Sequence, residues 1–385
     1  MEKRKICIVT GSRAEYGLLS PLIKKVHGDP DLEFQLVVTG SHLSYEHGLT
    51  YKVIEEDGYV INEKVEMLLS SDTSTAISKS IGIGTIGFSE VLNRLQPDVI
   101  VLLGDRYELL SIASVALVQK IPIAHIHGGE TTLGAYDDAI RHAITKMATI
   151  HFPSSDLHKE RIIQMGENPE SVFVVGAAGI DNIKNMDLLN KEDLAVELGI
   201  NWSDQVFVVA YHPETMKKDP ASSIVELLNA FDDYENTTII FTKANSDENG
   251  RKINQAISNF VNESPDNRYL FDSLGQLRYL SVLKEADVVL GNSSSALLEA
   301  PYLSTASVNI GERQKGRQRP PSVIDSQDDS ESIKGAISDA LLFDFAESNV
   351  EIFGDGTSAV KMWEVLKDNP LIINQPFYEY KGGLS

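Results

Sequence analysis

Acidic and imidazole side chains gather in three short stretches of the first half of the chain. Asp105 follows the apolar run DVIVLLG, while His127 and Glu130 both lie in the stretch HIHGGE. Asp137 opens a further stretch, DDAIRH. Carboxylates and imidazoles are the side chains that most often move protons in enzymes. Because several titratable stretches follow strands of one predicted sheet edge, they predict an acid–base site.

Each of these residues also has a structural interpretation when it is taken alone. Asp105 suits the N-cap of a helix, and acids at Asp137 and Asp138 suit the positive end of a helix dipole. His125 and His127 would lie on one face of a strand, at a spacing that a metal ion can use. No compelling third ligand accompanies them, so no metal is expected.

The strongest local signal in the second half is the stretch GNSSSALLE, which begins at Gly291. It is a glycine- and hydroxyl-rich turn that enters a helix, and such a turn offers backbone N–H groups and hydroxyls to phosphate oxygens. Ser294 and Ser295 are the candidate ligands. Glu299 lies further along the same helix, where it either accepts hydrogen bonds from ribose hydroxyls or faces solvent.

Basic side chains in loops are the candidates for holding an anion. Arg13 lies in GSRAEYG, directly after the first apolar run, and Arg313 lies in the basic loop GERQKGRQRP. Arginine binds phosphate through two parallel N–H donors, although a solvated arginine is an equal interpretation of Arg13. His212 follows another apolar run, in the stretch YHPET. A structural role and a functional role are both open for this histidine.

The elements that must position these residues alternate between strands and helices. Apolar runs closed by small or polar residues, such as KICIVTG and DVIVLLG, predict parallel strands buried on both faces. Helical stretches separate them, and a second series of such runs begins after a polar stretch. The sequence therefore predicts an α/β fold of two Rossmann-like domains that face each other across a cleft, 1–178 and 179–385.

Composition limits the classes of function. A chain of 385 residues with 42% hydrophobic and 23% charged residues fits two globular domains. The formal net charge of -22 disfavours nucleic acid and anionic membranes as partners. Cys7, the single cysteine, is predicted to be a buried apolar residue. The first apolar run is too short for a signal peptide or a membrane span, so a cytoplasmic protein is expected.

Taken together, these stretches resemble those of the hydrolysing UDP-N-acetylglucosamine 2-epimerases of sialic acid and legionaminic acid synthesis. The matching stretches run in order from Met1 to about Arg319. The resemblance implies a two-domain fold of the glycosyltransferase-B type, with acid–base residues in the first domain and UDP bound in the second. It also implies a UDP-sugar substrate, no cofactor or obligatory metal, and a homo-oligomer, either a dimer or a tetramer.

The resemblance assigns roles to particular residues. It places four residues in acid–base chemistry: Asp105, Glu130, Asp137 and His212. It places seven residues in nucleotide binding: Arg13, His212, Asn245, Ser294, Ser295, Glu299 and Arg313. Some relatives carry glutamate at the position of His127, so His127 or Glu130 would take over that function here. The loop before Asp137 is slightly longer than in some members, so Asp137 and Asp138 can exchange roles.

The implied reaction is an anti-elimination of UDP to give a glycal, followed by addition of water with inversion at carbon 2. With UDP-N-acetylglucosamine as substrate the products are N-acetylmannosamine and UDP. Four alternatives remain open. They are a substrate of the type UDP-2,4-diacetamido-2,4,6-trideoxyglucose, a glycosyltransferase of the same fold, a non-hydrolysing epimerase, and a nucleotide-sugar sensor without activity.

Overall fold

A computed structural model describes most of the chain, as residues 3–45, 48–70, 73–131, 136–213, 222–234, 236–244, 250–272, 274–346, 352–373 and 375–379. The chain divides into two compact units. Unit 1 comprises Met1–Asn182 and Phe353–Ser385, and unit 2 comprises Ile183–Ile352. No helix within the described ranges is both long and apolar enough to cross a bilayer.

Strands and helices alternate regularly in the first part of unit 1. In chain order these elements are β1 (Arg4–Thr10), α1 (Arg13–Gly28), β2 (Leu32–Thr39), α2 (Tyr51–Glu56), β3 (Glu63–Val65), α3 (Ser74–Leu95), β4 (Val99–Leu103), α4 (Tyr107–Val118), β5 (Ile123–Ile126), α5 (Asp137–Met147), β6 (Ile150–Phe152), α6 (Asp156–Gln164) and α7 (Ala178–Lys184). The six strands pair in parallel in the order β3-β2-β1-β4-β5-β6.

Helices cover the sheet of unit 1 on both faces. Ile6 and Ile8 of β1 pack into one apolar cluster with α1, whereas Cys7 and Val9 pack into a second cluster with α3 and α4. Successive side chains of a strand point to opposite faces, so both faces carry a core. The prediction for Cys7 is confirmed, and burial raises the pKa of its thiol to about 12.

The elements of unit 2 repeat this alternation. They are α8 (Lys191–Leu198), β7 (Gln205–Ala210), α9 (Ser222–Asn229), β8 (Thr237–Thr242), α10 (Gly250–Glu263), β9 (Arg268–Phe271), α11 (Gly275–Glu285), β10 (Val288–Gly291), α12 (Ser295–Tyr302), β11 (Ala306–Ile310), β12 (Val323–Ser326) and α13 (Ser330–Leu341). The six strands are again parallel, in the order β12-β11-β10-β7-β8-β9.

Both sheets have the Rossmann strand order, which confirms the predicted fold class of two Rossmann-like domains. The strand order reverses between β1 and β4 in unit 1 and between β7 and β10 in unit 2. In open parallel sheets the crevice at such a reversal, beyond the carboxyl ends of the strands, is where ligands bind. The residues that follow these four strands and their neighbours in each sheet are therefore in position for function.

The C-terminal part of the chain differs from the predicted domain limits. The sequence predicted one domain over 179–385, but Phe353–Ser385 belongs to unit 1. The reason is α14 (Ser358–Asp368), which packs on α1 and places Met362 and Leu366 in the same apolar cluster as β1. The chain therefore passes through unit 2 and returns to unit 1.

Candidate functional site

Arg141 of α5 joins two of the predicted acid–base residues of unit 1. Its guanidinium contacts the Asp105 carboxylate through Nη2 and donates through Nη1 to Glu130 Oε2 at 3.1 Å. Asp105 follows β4, and Glu130 follows β5 after the turn at Gly129, where φ is 77°. Loops after neighbouring strands therefore meet at one buried cation, whose side chain is 7% exposed.

Glu130 is held as a carboxylate. Burial opposes its ionisation, but the positive charge of Arg141, whose Nη1 donates to Glu130 Oε2, favours the carboxylate and holds the pKa of Glu130 below its usual value. Ser154 Oγ also donates a hydrogen bond to Glu130 Oε1 at 2.8 Å. A carboxyl group with so low a pKa is a weak base and is ionised at neutral pH, so Glu130 is suited to orienting its neighbours.

His127 has a defined ring orientation. Its Nε2 accepts a hydrogen bond from the backbone N–H of Ala178 at 3.1 Å, so the ring proton lies on Nδ1. Nδ1 is 3.6 Å from Glu130 Oε1. The residue has a left-handed backbone, with φ of 62°. His127 and Glu130 therefore act as a pair in this loop.

His125 has a structural environment. The ring is fully buried, with Nε2 2.8 Å from the carbonyl oxygen of Gly104 and Nδ1 3.1 Å from Thr145 Oγ1. Burial lowers the pKa of His125 to about 3. In the part of the chain that the structure describes, no group of three or more histidine, cysteine, aspartate or glutamate residues is arranged to hold a metal ion.

The two acids at the start of α5 have different surroundings. Burial and then the negative charge of Asp105 raise the pKa of Asp137, which is half-buried. The Asp138 carboxylate instead lies 3.6 Å from His142 Nε2, one turn along the same helix. Of the two, Asp137 has the raised pKa that suits a group that both accepts and returns a proton.

A second ion cluster lies at the strand reversal of unit 1. Arg106 Nη2 donates to Glu108 Oε1 at 2.9 Å, and Arg106 Nε is 3.6 Å from Glu15 Oε1. Glu15 Oε2 accepts a hydrogen bond from the Gly11 N–H at 2.6 Å, and burial raises the pKa of Glu15 to about 7. Arg13, the predicted phosphate ligand of this loop, is exposed at the start of α1.

In unit 2, Asn292 connects the turn after β10 to two predicted ligands. Its side chain accepts a hydrogen bond from the His212 N–H and donates one to the His212 carbonyl, each at 2.8 Å. The Asn292 carbonyl in turn accepts hydrogen bonds from Arg313 Nη1 at 2.9 Å and from Gln314 Nε2 at 2.7 Å. The fully buried Asn292 therefore holds the loops after β7 and β11 beside residues 293–295, which we call the serine turn.

The serine turn borders a cavity of about 490 Å³ in unit 2. The residues that line this cavity include His212, Tyr279, Ser293, Ser294, Ser295 and Glu299. Gly291 lets β10 approach β7 here, because a Cβ at this position would lie 2.1 Å from the Ala210 carbonyl oxygen. Burial raises the pKa of Glu299 to about 7. Asn245, the remaining predicted ligand, lies outside the described residues.

The structure thus brings most predicted residues together within their own unit. One network in unit 1 contains Asp105, His127, Glu130 and Asp137. In unit 2, the predicted UDP ligands within the described residues either surround the serine turn or contact Asn292. Sequence reasoning missed Arg141 as a site residue. The signal was its position four residues after Asp137 on a predicted helix, which puts both on one helical face.

A family model described as UDP-N-acetylglucosamine 2-epimerase matches residues 24–367. The chain is 45% identical over 328 residues, 85% of each protein, to the GDP/UDP-N,N'-diacetylbacillosamine 2-epimerase (hydrolyzing) of Campylobacter jejuni. It is 34% identical over 372 residues to the UDP-N,N'-diacetylbacillosamine 2-epimerase (hydrolyzing) of Legionella pneumophila, with 96% of this chain and 97% of that protein covered.

Among solved structures, the crystal structure of UDP-GlcNAc 2-epimerase from Neisseria meningitidis bound to UDP-GlcNAc is similar. The TM-score is 0.78 with 18% sequence identity, and the match covers 95% of this chain and 100% of the other chain. At this level of identity the similarity shows a shared fold.

Proposed function

This chain belongs to the UDP-N-acetylglucosamine 2-epimerase family, as its motifs predicted, and we propose that it is a hydrolysing 2-epimerase of a UDP-linked acetamido sugar. The substrate that we favour is UDP-N,N'-diacetylbacillosamine, which is UDP-2,4-diacetamido-2,4,6-trideoxyglucose. The names of two relatives, 45% and 34% identical to this chain, contain that nucleotide sugar and the word hydrolyzing.

The observation that carries the proposal is the network around Arg141. Asp105 and Glu130, predicted separately from strand ends, share its guanidinium, and Asp137 lies within the electrostatic influence of Asp105. Removal of a proton from carbon 2 needs a base with a pKa closer to neutrality than that of a free carboxylate. In this network Asp137 has the raised pKa, Asp105 is oriented by Arg141, and Glu130 is ionised.

The proposed first step is an elimination. A base, for which we propose Asp137, takes the proton from carbon 2, and the electron pair of that C–H bond forms the C1–C2 double bond. The bond between carbon 1 and the diphosphate oxygen breaks, and UDP leaves with that electron pair. In the second step water adds to carbon 1, and carbon 2 receives a proton on the opposite face, which gives the free 2-epimer.

Departure of UDP requires stabilisation of the diphosphate charge. We propose that the serine turn of unit 2, with the N–H groups at the start of α12, binds the diphosphate. Arg313 is held beside this turn by the Asn292 carbonyl. His212, Arg13 and Asn245 complete the proposed nucleotide ligands, and Glu299 is the proposed ligand of the ribose.

UDP-N-acetylglucosamine is the second candidate substrate, because the family to which the chain belongs is named after that nucleotide sugar. The two sugars differ only at carbon 4, which bears an acetamido or a hydroxyl group, and at carbon 6, which bears a methyl or a hydroxymethyl group. Steady-state kinetics with both nucleotide sugars separate the candidates, and the larger kcat/KM identifies the substrate.

The experiment that tests the proposed reaction is an NMR time course in deuterated water with purified protein and no acceptor. We expect UDP and the free 2-epimer to form, with deuterium at carbon 2 of the product. Asp105→Asn is expected to lower the rate by about a hundredfold or more, the range for loss of a group in acid–base chemistry. Asp156→Asn, at the exposed first position of α6, is the matched control and is expected to retain the rate.

Three outcomes contradict the proposal. A UDP-linked epimer as the only product identifies a non-hydrolysing enzyme. Turnover that requires an added acceptor identifies a glycosyltransferase. Binding without turnover of either nucleotide sugar identifies a sensor.

A further inference from the structure

Three hydroxyl groups form a chain along one side of the unit 2 cavity. Tyr279 Oη of α11 lies 2.6 Å from Ser295 Oγ, at the start of α12. Ser295 Oγ donates a hydrogen bond to Ser293 Oγ at 3.1 Å. All three side chains line the cavity, so this chain links a residue of a neighbouring helix to the serine turn.

The number of hydrogens fixes the direction of the chain. A hydroxyl group has one hydrogen to donate and two lone pairs with which to accept. Ser295 Oγ donates its only hydrogen to Ser293 Oγ. Tyr279 Oη must therefore be the donor in its hydrogen bond with Ser295 Oγ. Ser293 Oγ accepts from Ser295 Oγ and also from the Ser295 backbone N–H at 3.4 Å.

Ser293 is thereby left as a donor. Both of its acceptor positions are occupied by Ser295, so its own hydrogen points away from that residue. Because Ser293 lines the cavity, that hydrogen is available to an acceptor bound there. Ser295 Oγ, in contrast, has its only hydrogen committed within the chain. An anionic oxygen, which can only accept hydrogen bonds, is the ligand that this arrangement fits.

Tyr279 remains a donor at neutral pH. Burial, followed by the negative charge of Glu299, raises the pKa of the Tyr279 hydroxyl. The hydroxyl therefore keeps its hydrogen under the conditions in which the cavity binds a nucleotide.

We propose that Tyr279 is a positioning residue that acts through Ser295 to orient the Ser293 hydroxyl as a donor to a phosphate oxygen of the bound nucleotide. This inference rests on the proposed function, because it requires a nucleotide diphosphate in this cavity. The side chain of Tyr279 does not itself contact the phosphate. In this arrangement the Ser295 side chain serves as the link of the chain, and the Ser293 side chain serves as the phosphate ligand.

The test compares the affinities of UDP and uridine by isothermal titration calorimetry. Tyr279→Phe keeps the ring and removes the first donor of the chain, so Ser295 and Ser293 lose their fixed orientation. We expect UDP to bind about three- to tenfold more weakly, the range for one lost hydrogen bond, with uridine affinity unchanged. Ser295→Ala is expected to act in the same way.

A double-mutant comparison isolates the chain from general packing. In a Ser293→Ala background, Tyr279→Phe is expected to have no further effect on UDP affinity, because the group that it orients is gone. Tyr269→Phe is the matched control. Tyr269 is also in unit 2, but its hydroxyl accepts from the Asn201 N–H and donates to the Asp266 carbonyl. We expect this variant to bind UDP as the wild type does.

The outcomes separate the two proposals. If the wild-type protein does not bind UDP, the proposed function is wrong. If it binds UDP and Tyr279→Phe has the same affinity, the proposed function stands and the role of Tyr279 is wrong. Equal losses for UDP and uridine, or an undiminished effect of Tyr279→Phe in the Ser293→Ala background, also overturn the role of Tyr279.

Discussion

The Glu299 carboxyl group predicts how nucleoside binding depends on pH. Burial raises its pKa to about 7, and we propose that its ionised form accepts hydrogen bonds from the ribose hydroxyls. The protonated form has lost part of this acceptor capacity. Uridine affinity is therefore expected to rise as pH increases from about 6 to about 8, by up to about tenfold, as the ionised fraction increases. Calorimetric titrations with uridine at several pH values measure this dependence, without interference from phosphate ionisation.

Glu299→Gln is the control for this prediction. The variant keeps one acceptor oxygen but cannot titrate, so its uridine affinity is expected to be independent of pH over the same interval. Uridine affinity that is flat or falling with pH in the wild-type protein would show that the ionised carboxylate does not bind the ribose.

Residues at strand ends could be predicted from the sequence more readily than the residues that hold them. Asp105 and Glu130 follow buried strands of unit 1, and His212 follows a buried strand of unit 2. Parallel topology alone brings such positions to the carboxyl edge of their own sheet. Arg141 and Tyr279 lie inside helices, where any polar residue can equally face solvent. Their roles depend on which loop lies opposite them, and this is decided by the tertiary packing of the helix.

At the scale of elements, Asp181 predicts how α14 is anchored to unit 1. This residue of α7 is 2% exposed, and its two carboxylate oxygens accept the N–H groups of Ser358 and Ala359 at 2.9 and 2.7 Å. Those N–H groups open α14 and have no partner within the helix. Asp181→Ala is expected to lower the free energy of unfolding by roughly 1–3 kcal/mol, because it leaves buried donors unpaired. Urea unfolding followed by circular dichroism measures the change.

Asp329→Ala is a matched comparison for the cap. Asp329 also caps a helix, α13 of unit 2, but it is exposed, and water can replace its bond to the Ser332 N–H. Its loss is expected to cost about 0.5–1 kcal/mol, toward the low end for N-caps. Equal destabilisation by both substitutions would contradict the argument that burial makes the Asp181 cap the stronger one.

Central strands were easier to predict than edge strands. All five residues of β4 are buried, and such continuous apolar runs are typical of strands covered on both faces. The strands β3, β9 and β12 were not identified in the sequence, and each of them lies at the edge of its sheet. These three strands are short and partly solvated, so they lack the apolar run from which the others were predicted, whereas the edge strand β6 is buried throughout and has such a run.

At the scale of the whole molecule, the return of the chain to unit 1 was the feature that sequence reasoning missed. The apolar face of α14 predicts that the helix covers a core, but amphipathic periodicity does not identify which core. The repeated βα pattern predicts a complete domain in each half of the chain, and it therefore assigns the C-terminal stretch to the second domain, which directly precedes it. In the structure the same helix instead covers α1 of unit 1.

This arrangement predicts different behaviour for fragments of the chain. A fragment spanning 183–352 contains every element of the unit 2 sheet and the lining of its cavity. It is expected to fold alone and to bind uridine with the affinity of the full chain. A fragment spanning 1–178 lacks α14 and leaves the apolar face of α1 exposed, so it is expected to aggregate or to unfold without cooperativity.

Restoring the missing segment is the decisive comparison for these fragments. Supplying a peptide of residues 353–385 to a fragment spanning 1–182 returns Met362 and Leu366 to the cluster that contains α1. It also returns Ser358 and Ala359 to the Asp181 cap. Cooperative unfolding is expected only when the peptide is present, and a peptide with Leu366→Asp is expected to fail, since it places a charge in that cluster. Cooperative unfolding of 1–178 alone, followed by circular dichroism, would show that α14 is dispensable for the first unit.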